Sequence, residues 1–103
     1  MNARELKHEI RNLLGEVSFN KEFDKHTRQL QGQSMNLIKW CYQLREGMVL
    51  ARPSRNNRDV ILFIKKIGSS NRCIVIKKRN GVFTECYLGD HKYYDYPRKQ
   101  LGL

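Results

Sequence analysis

A histidine, a lysine, carboxylates and three tyrosines fall together in Leu88-Gly89-Asp90-His91-Lys92-Tyr93-Tyr94-Asp95-Tyr96. Metal-free RNA cleavage needs little more than such a set. The substrate's own 2′-hydroxyl is the nucleophile, so the protein supplies a base near that hydroxyl, cations around the five-coordinate phosphorus and an acid near the departing 5′-oxygen. His91, with an unperturbed pKa of about 6.5, suits the acid or base role. Tyr94 or Tyr93 suits stacking on a base or giving up a proton. Lys77, Lys78 and Arg79 precede an Asn80-Gly81 turn, and strand alternation puts Lys77 and Arg79 on one face and Lys78 on the other. If the Lys77 face is open, it can hold phosphates, with His91, Lys77 and Tyr94 as the catalytic set. Each residue type also has a plainer use. A lone histidine in a polar segment is commonly solvated, lysines at strand ends block edge-to-edge association, and tyrosines can cap a core with their hydroxyls at its rim.

Charge points the same way. The chain has 103 residues and a net charge of +10. Residues 1–46 hold eight basic and six acidic groups, whereas residues 47–103 hold twelve basic and four acidic ones. The second half therefore carries +8 and projects a field suited to a polyanion. Arg52, Arg58, Lys65, Arg72, Lys78, Arg79, Lys92 and Tyr93 are the expected RNA-binding residues.

Other chemistries lack their parts. Cys41, Cys73 and Cys86 are odd in number and never at CxxC spacing, and each sits in an apolar run. They are expected to be reduced, buried thiols of a cytoplasmic protein, not a disulfide framework or a zinc site. Asp90 and His91 alone cannot fill a coordination sphere, so neither a metal nor a cofactor is expected. There is no phosphate-cradling glycine loop and no GxSxG elbow. Charges scattered through residues 1–14 exclude a signal peptide or a membrane span there.

The elements that must position these groups follow from periodicity. Leu6, Ile10, Leu13, Leu14 and Val17 predict an amphipathic helix over residues 2–14, stopped by Gly15. Glu16 to Phe19 alternates as a first strand. Asn20 is a good N-cap for a helix from about Lys21 to Leu30. Ser34 is expected to cap a further helix carrying Leu37, Ile38, Cys41 and Leu44, with Trp40 in its stripe as a core or rim residue. His8 and His26, on amphipathic helices, are expected at the surface. Strands follow at 48–51, 59–67, 72–79 and 82–88, the last two joined by a type I′ hairpin at Asn80-Gly81. Asp59 to Ile67 is apolar on both faces over its first half, as a covered central strand is. The expected fold is one α+β domain over residues 1–103, its N-terminal helices packed on one face of an antiparallel sheet of three to four strands. The other face is left for function, with the Leu88–Tyr96 segment across from Lys77–Arg79.

This order, with Val17-Ser18-Phe19-Asn20-Lys21-Glu22-Phe23 opening it and Tyr87-Leu88-Gly89-Asp90-His91-Lys92-Tyr93-Tyr94 closing it, resembles the RelE/ParE superfamily of toxins over about residues 16–96. The first stretch is similar to the family's strand running into a helix, the second to its closing strand with Gly-x-His and a following tyrosine. The helix at 2–14 is an addition in front of that pattern. The family's arginine in a "Tyr-Arg-Val" type strand has no clean counterpart here, so Arg52, Arg58 or Arg72 would serve from nearby. The resemblance implies a RelE-like fold and a cytoplasmic endoribonuclease that cuts mRNA, with RNA and the ribosome as partners and an acidic antitoxin protein as its inhibitor. A non-catalytic basic module that binds nucleic acid and a ParE-like poison of DNA gyrase remain open beside it, because a fold does not choose a function.

Overall fold

Residues 1–90 are described by a computed structural model, the side chain of Gln31 excepted. Helix α1 (Ala3–Leu14) starts on a capping box in which Asn2 Oδ1 accepts the Glu5 backbone N–H at 2.8 Å and the Glu5 carboxylate accepts that of Asn2 at 3.3 Å. Gly15, at φ +90°, ends it. Leu6, Ile10 and Leu14 recur at the spacing of one helical face, and all three are buried. The helix is therefore part of the core and not an appendage.

Strand β1 (Ser18–Phe19) and the short helix α2 (Phe23–Thr27) come next, then one 3-10 turn (Gln31–Gln33) and helix α3 (Ser34–Arg45). The helix expected over 21–30 is shorter at both ends, and Asn20 does not cap it with its side chain. That carboxamide instead accepts the Leu88 backbone N–H at 2.8 Å and donates to the Leu88 carbonyl at 2.9 Å. Nor does Ser34 cap α3, since it is already helical and Gln33 occupies the cap position without a side-chain bond. His26 is buried and faces Gln29 Oε1 at 3.1 Å, against its expected place at the surface, whereas His8 is exposed. Trp40 and all three cysteines lie in the core, the thiols free.

The sheet has five strands in the order β1-β5-β4-β3-β2, with β2 at Arg52–Pro53, β3 at Val60–Ile67, β4 at Asn71–Lys78 and β5 at Phe83–Asp90. It is mixed rather than antiparallel, because β1 runs parallel to β5 through Ser18↔Glu85 and Phe19↔Cys86. Strand β2 forms at Arg52–Pro53 instead of 48–51, an edge position where proline's missing N–H costs no ladder bond. The β4–β5 hairpin closes through Gly81 N–H to Lys78 O at 2.9 Å and Lys78 N–H to Val82 O at 2.8 Å, with Gly81 at φ +100°. Its loop is thus Arg79-Asn80-Gly81, one residue longer than a type I′ turn, with the glycine in the bulge position.

Helices cover one sheet face. Phe63, Ile67, Cys73, Val75, Cys86 and Leu88 point into the same cluster as the helical side chains. The other face is not the bare platform expected of it. Leu62, Ile74 and Ile76 are buried there in a second cluster, with Val60, Ile64 and Tyr87 packed beside them. The cations of this face stand toward the ends of its strands, while the half-buried Glu85 lies within β5 opposite Ile76.

Candidate nucleic-acid interface

Strand pairing decides which cations meet. In the β3–β4 hairpin Ile64 faces Ile74 and Lys66 faces Arg72, so Lys66 and Arg72 share the second face at the end where β5 finishes. Lys78 faces Val60 on that same surface at the opposite end, and Arg52 joins it from the edge opposite Leu62. Four cations thus rim the apolar patch of Leu62, Ile74 and Ile76, with Tyr87 beside them.

Lys77 belongs to the other side. It pairs with Ile61, which packs on the helix-covered cluster, and its Nζ stands 4.9 Å from the Phe83 ring. A lysine lying on an aromatic face is satisfied by cation–π attraction and by burial of its aliphatic stem. The Lys77 face is therefore not the open one. Lys65 likewise sits on the helix side, opposite Cys73.

The register also corrects the expected juxtaposition at the end of β5. Leu88 lies opposite Cys73 and Asp90 opposite Asn71, whereas Lys77 lies opposite Phe83. The chain leaves Asp90 beside Arg72, and the Lys77–Arg79 stretch is at the far end of β4, roughly 20 Å away at the strand rise per residue. The physical reason is antiparallel geometry: residues just after a hairpin turn face those just before it, and residues at the far end of β5 face the beginning of β4. His91, Lys92, Tyr93 and Tyr94 lie outside the described residues. The cations that accompany the end of β5 are Lys66 and Arg72. Lys66 was missed in the sequence, although counting outward from the Gly68-Ser69-Ser70 turn pairs it with Arg72.

The nine basic residues between 47 and 90 form no ion pair with a carboxylate among the described residues. Arg52, Arg55, Arg58, Lys66, Lys78 and Arg79 are exposed, and Arg72 is half-buried with one Nη donating to the Asn71 carbonyl at 2.9 Å. Nine cations against Asp59, Glu85 and Asp90 leave an excess of positive charge that attracts polyanions and raises their encounter rate. Among the described residues no group of three or more histidine, cysteine or acidic side chains could hold a metal ion. No described helix is long and apolar enough to cross a membrane. No family model matches the chain, and neither the curated proteins nor the solved structures include a significant match to it.

Proposed function

We propose that the chain acts on RNA as a toxin-like endoribonuclease of the RelE kind, cutting mRNA by 2′-hydroxyl transesterification, on the ribosome in its natural setting. The observation that carries this reading is the group of cations on the second sheet face that form no ion pair among the described residues, with Arg72 and Lys66 at the end of the sheet where β5 finishes at Asp90. The element order supports it, since a short strand, two helices and a meander from β3 to β5 follow one another as the resemblance implies. In the reaction a base takes the 2′-hydroxyl proton, the 2′-oxygen attacks the adjacent phosphorus, and the bond to the 5′-oxygen breaks as that oxygen is protonated. The products are a 2′,3′-cyclic phosphate and a free 5′-hydroxyl. His91 serves as base or acid, Tyr94 assists it, and Arg72 with Lys66 takes over the phosphate role first sought in Lys77. An acidic antitoxin would neutralise the same cations.

Purified protein is expected to cleave mRNA in a translation extract, and His91→Ala to lose about 10²–10⁴-fold of that rate while unfolding at the same urea concentration. Full activity in the variant would remove His91 from the mechanism. A second reading, a non-catalytic nucleic-acid-binding module, is favoured by the roughly 20 Å between the two groups of cations along β4. Salt-sensitive RNA binding with no cleavage product selects it, and inhibition of gyrase supercoiling without translation arrest selects the ParE-like alternative.

A further inference from the structure

Two loops meet at the hairpin end of the sheet. The Arg79 backbone N–H donates to the Asp59 carbonyl at 2.9 Å, and Arg79 Nε donates to the Arg58 carbonyl. Each loop is braced internally. Ser54 Oγ accepts the Asn57 N–H at 3.2 Å, Asn57 Oδ1 accepts the Asp59 N–H at 2.9 Å, and Asn80 Oδ1 accepts the Val82 N–H at 3.1 Å. Between the loops lies an open cleft of about 330 Å³ lined by Asp59, Lys78, Arg79 and Asn80.

Exposed Arg55, Arg58 and Arg79 stand on these two loops and Lys78 at the end of β4 beside them, with Asp59 as the one acidic residue among them. Arg79 is the oriented member. Its Nε is anchored, and its terminal nitrogens have no hydrogen-bond partner among the described residues. A guanidinium held at one nitrogen presents a planar fork that matches two phosphate oxygens, which a mobile lysine cannot do.

We propose that this tip is a phosphate clamp for a single-stranded nucleic acid, distinct from the Lys66–Arg72 end and roughly 20 Å from it along β4. The clamp rests on the reading that the chain acts on RNA, and adds that the strand is gripped well away from where it is cut. An acidic protein segment is the competing occupant, and the fork geometry of Arg79 favours phosphate over it.

The test is fluorescence anisotropy of a labelled 20-nucleotide oligouridylate with the full chain across a potassium chloride series. Arg55→Gln, Arg58→Gln and Lys78→Gln are combined, all exposed, so the Arg79 link between the loops is kept. The log-log salt slope is expected to become shallower by about 0.7 for each lost single-strand contact, or about 2 in all. Asp59→Asn, which removes the one opposing charge, is expected to tighten binding. An unchanged slope in the triple variant, with wild-type binding intact, overturns the clamp and leaves the RNA reading standing. Wild-type protein that fails to bind the oligonucleotide overturns both. Polyglutamate that competes as well as oligouridylate at equal charge also overturns the phosphate clamp.

Discussion

At Asn20 a carboxamide takes both backbone groups of Leu88, accepting its N–H and donating to its carbonyl. The side chain thereby continues the pairing of β1 with β5 one residue further, in a buried setting where water cannot substitute. Asn20→Ala leaves two buried backbone groups unmatched, at about 1–3 kcal/mol each. A loss of about 2–6 kcal/mol is expected, seen as a lower urea midpoint with an unchanged slope. A shift below about 0.5 kcal/mol would show that the Asn20–Leu88 pairing is dispensable. The thiols form another residue-scale group. Cys73 and Cys86 approach to 3.8 Å between sulfurs. The hydrogen bond to Cys86 and then burial hold the Cys73 thiol well above the usual range, and burial does the same to Cys41, with Cys86 adding to it. Both thiols stay protonated in the folded chain, whereas an unfolded thiol ionises from about pH 8.5. Their contribution to stability is therefore complete below that pH and is lost as pH rises above it. Urea midpoints at pH 7 and pH 10 should differ more in wild-type protein than in Cys41→Ala. A thiol reagent at pH 8 should leave all three cysteines unmodified until urea opens the core.

Helix α1 is the element most dependent on its place in the fold. Leu6 and Ile10 are fully buried, Arg11 donates through Nη2 to the Val17 carbonyl at 3.3 Å, and Lys7 pairs with Asp24 of α2. Lys7 and Arg11 also lie over the Phe19 ring, at 5.5 and 4.9 Å from its centre. Ile10→Ala should cost about 2–5 kcal/mol, measured by denaturation. A cost under 1 kcal/mol would mean that the helix packs loosely. This element was legible in the sequence because its signal is local: apolar residues at helical spacing, a stop at Gly15. The elements that were misjudged depend on distant partners. Asn20 has the residue type of a cap, but Leu88 outbids the helix for its side chain. Strand β2 is two residues long and exists only through Leu62 and Ile61. The hairpin at Asn80-Gly81 was placed correctly, yet its three-residue loop and the irregularity between Ile76 and Lys77 set a register that turn residues alone do not give.

For the whole molecule, the uneven charge was plain from composition, and its arrangement was not. Alternation correctly separates Lys77 from Lys78, but which face the helices cover depends on packing. It is Ile61, Val75 and Cys86 that turn Lys77 toward the helices, and the burial of Leu62, Ile74 and Ile76 that drives the free cations to the strand ends. Neutralising Lys66 and Arg72 together should flatten the salt dependence of RNA binding by about 1.4 in log-log slope on a single strand. In the endoribonuclease reading cleavage falls with it. An unchanged slope would take that end of the sheet out of the interface.

The pairing of β1 with β5 has a consequence in time. Ser18 and Phe19 find their strand partners only at Glu85 and Cys86, and Asn20 finds its partner 68 residues later in the chain. Synthesis runs from the N-terminus at about 5–20 residues per second. For several seconds, then, the nascent helices hold Leu6, Ile10 and Phe23 ready while the strand that will floor them does not yet exist. During that interval the apolar faces of α1 and α2 are open to other chains and to chaperones, and the fold closes only as its last described strand arrives.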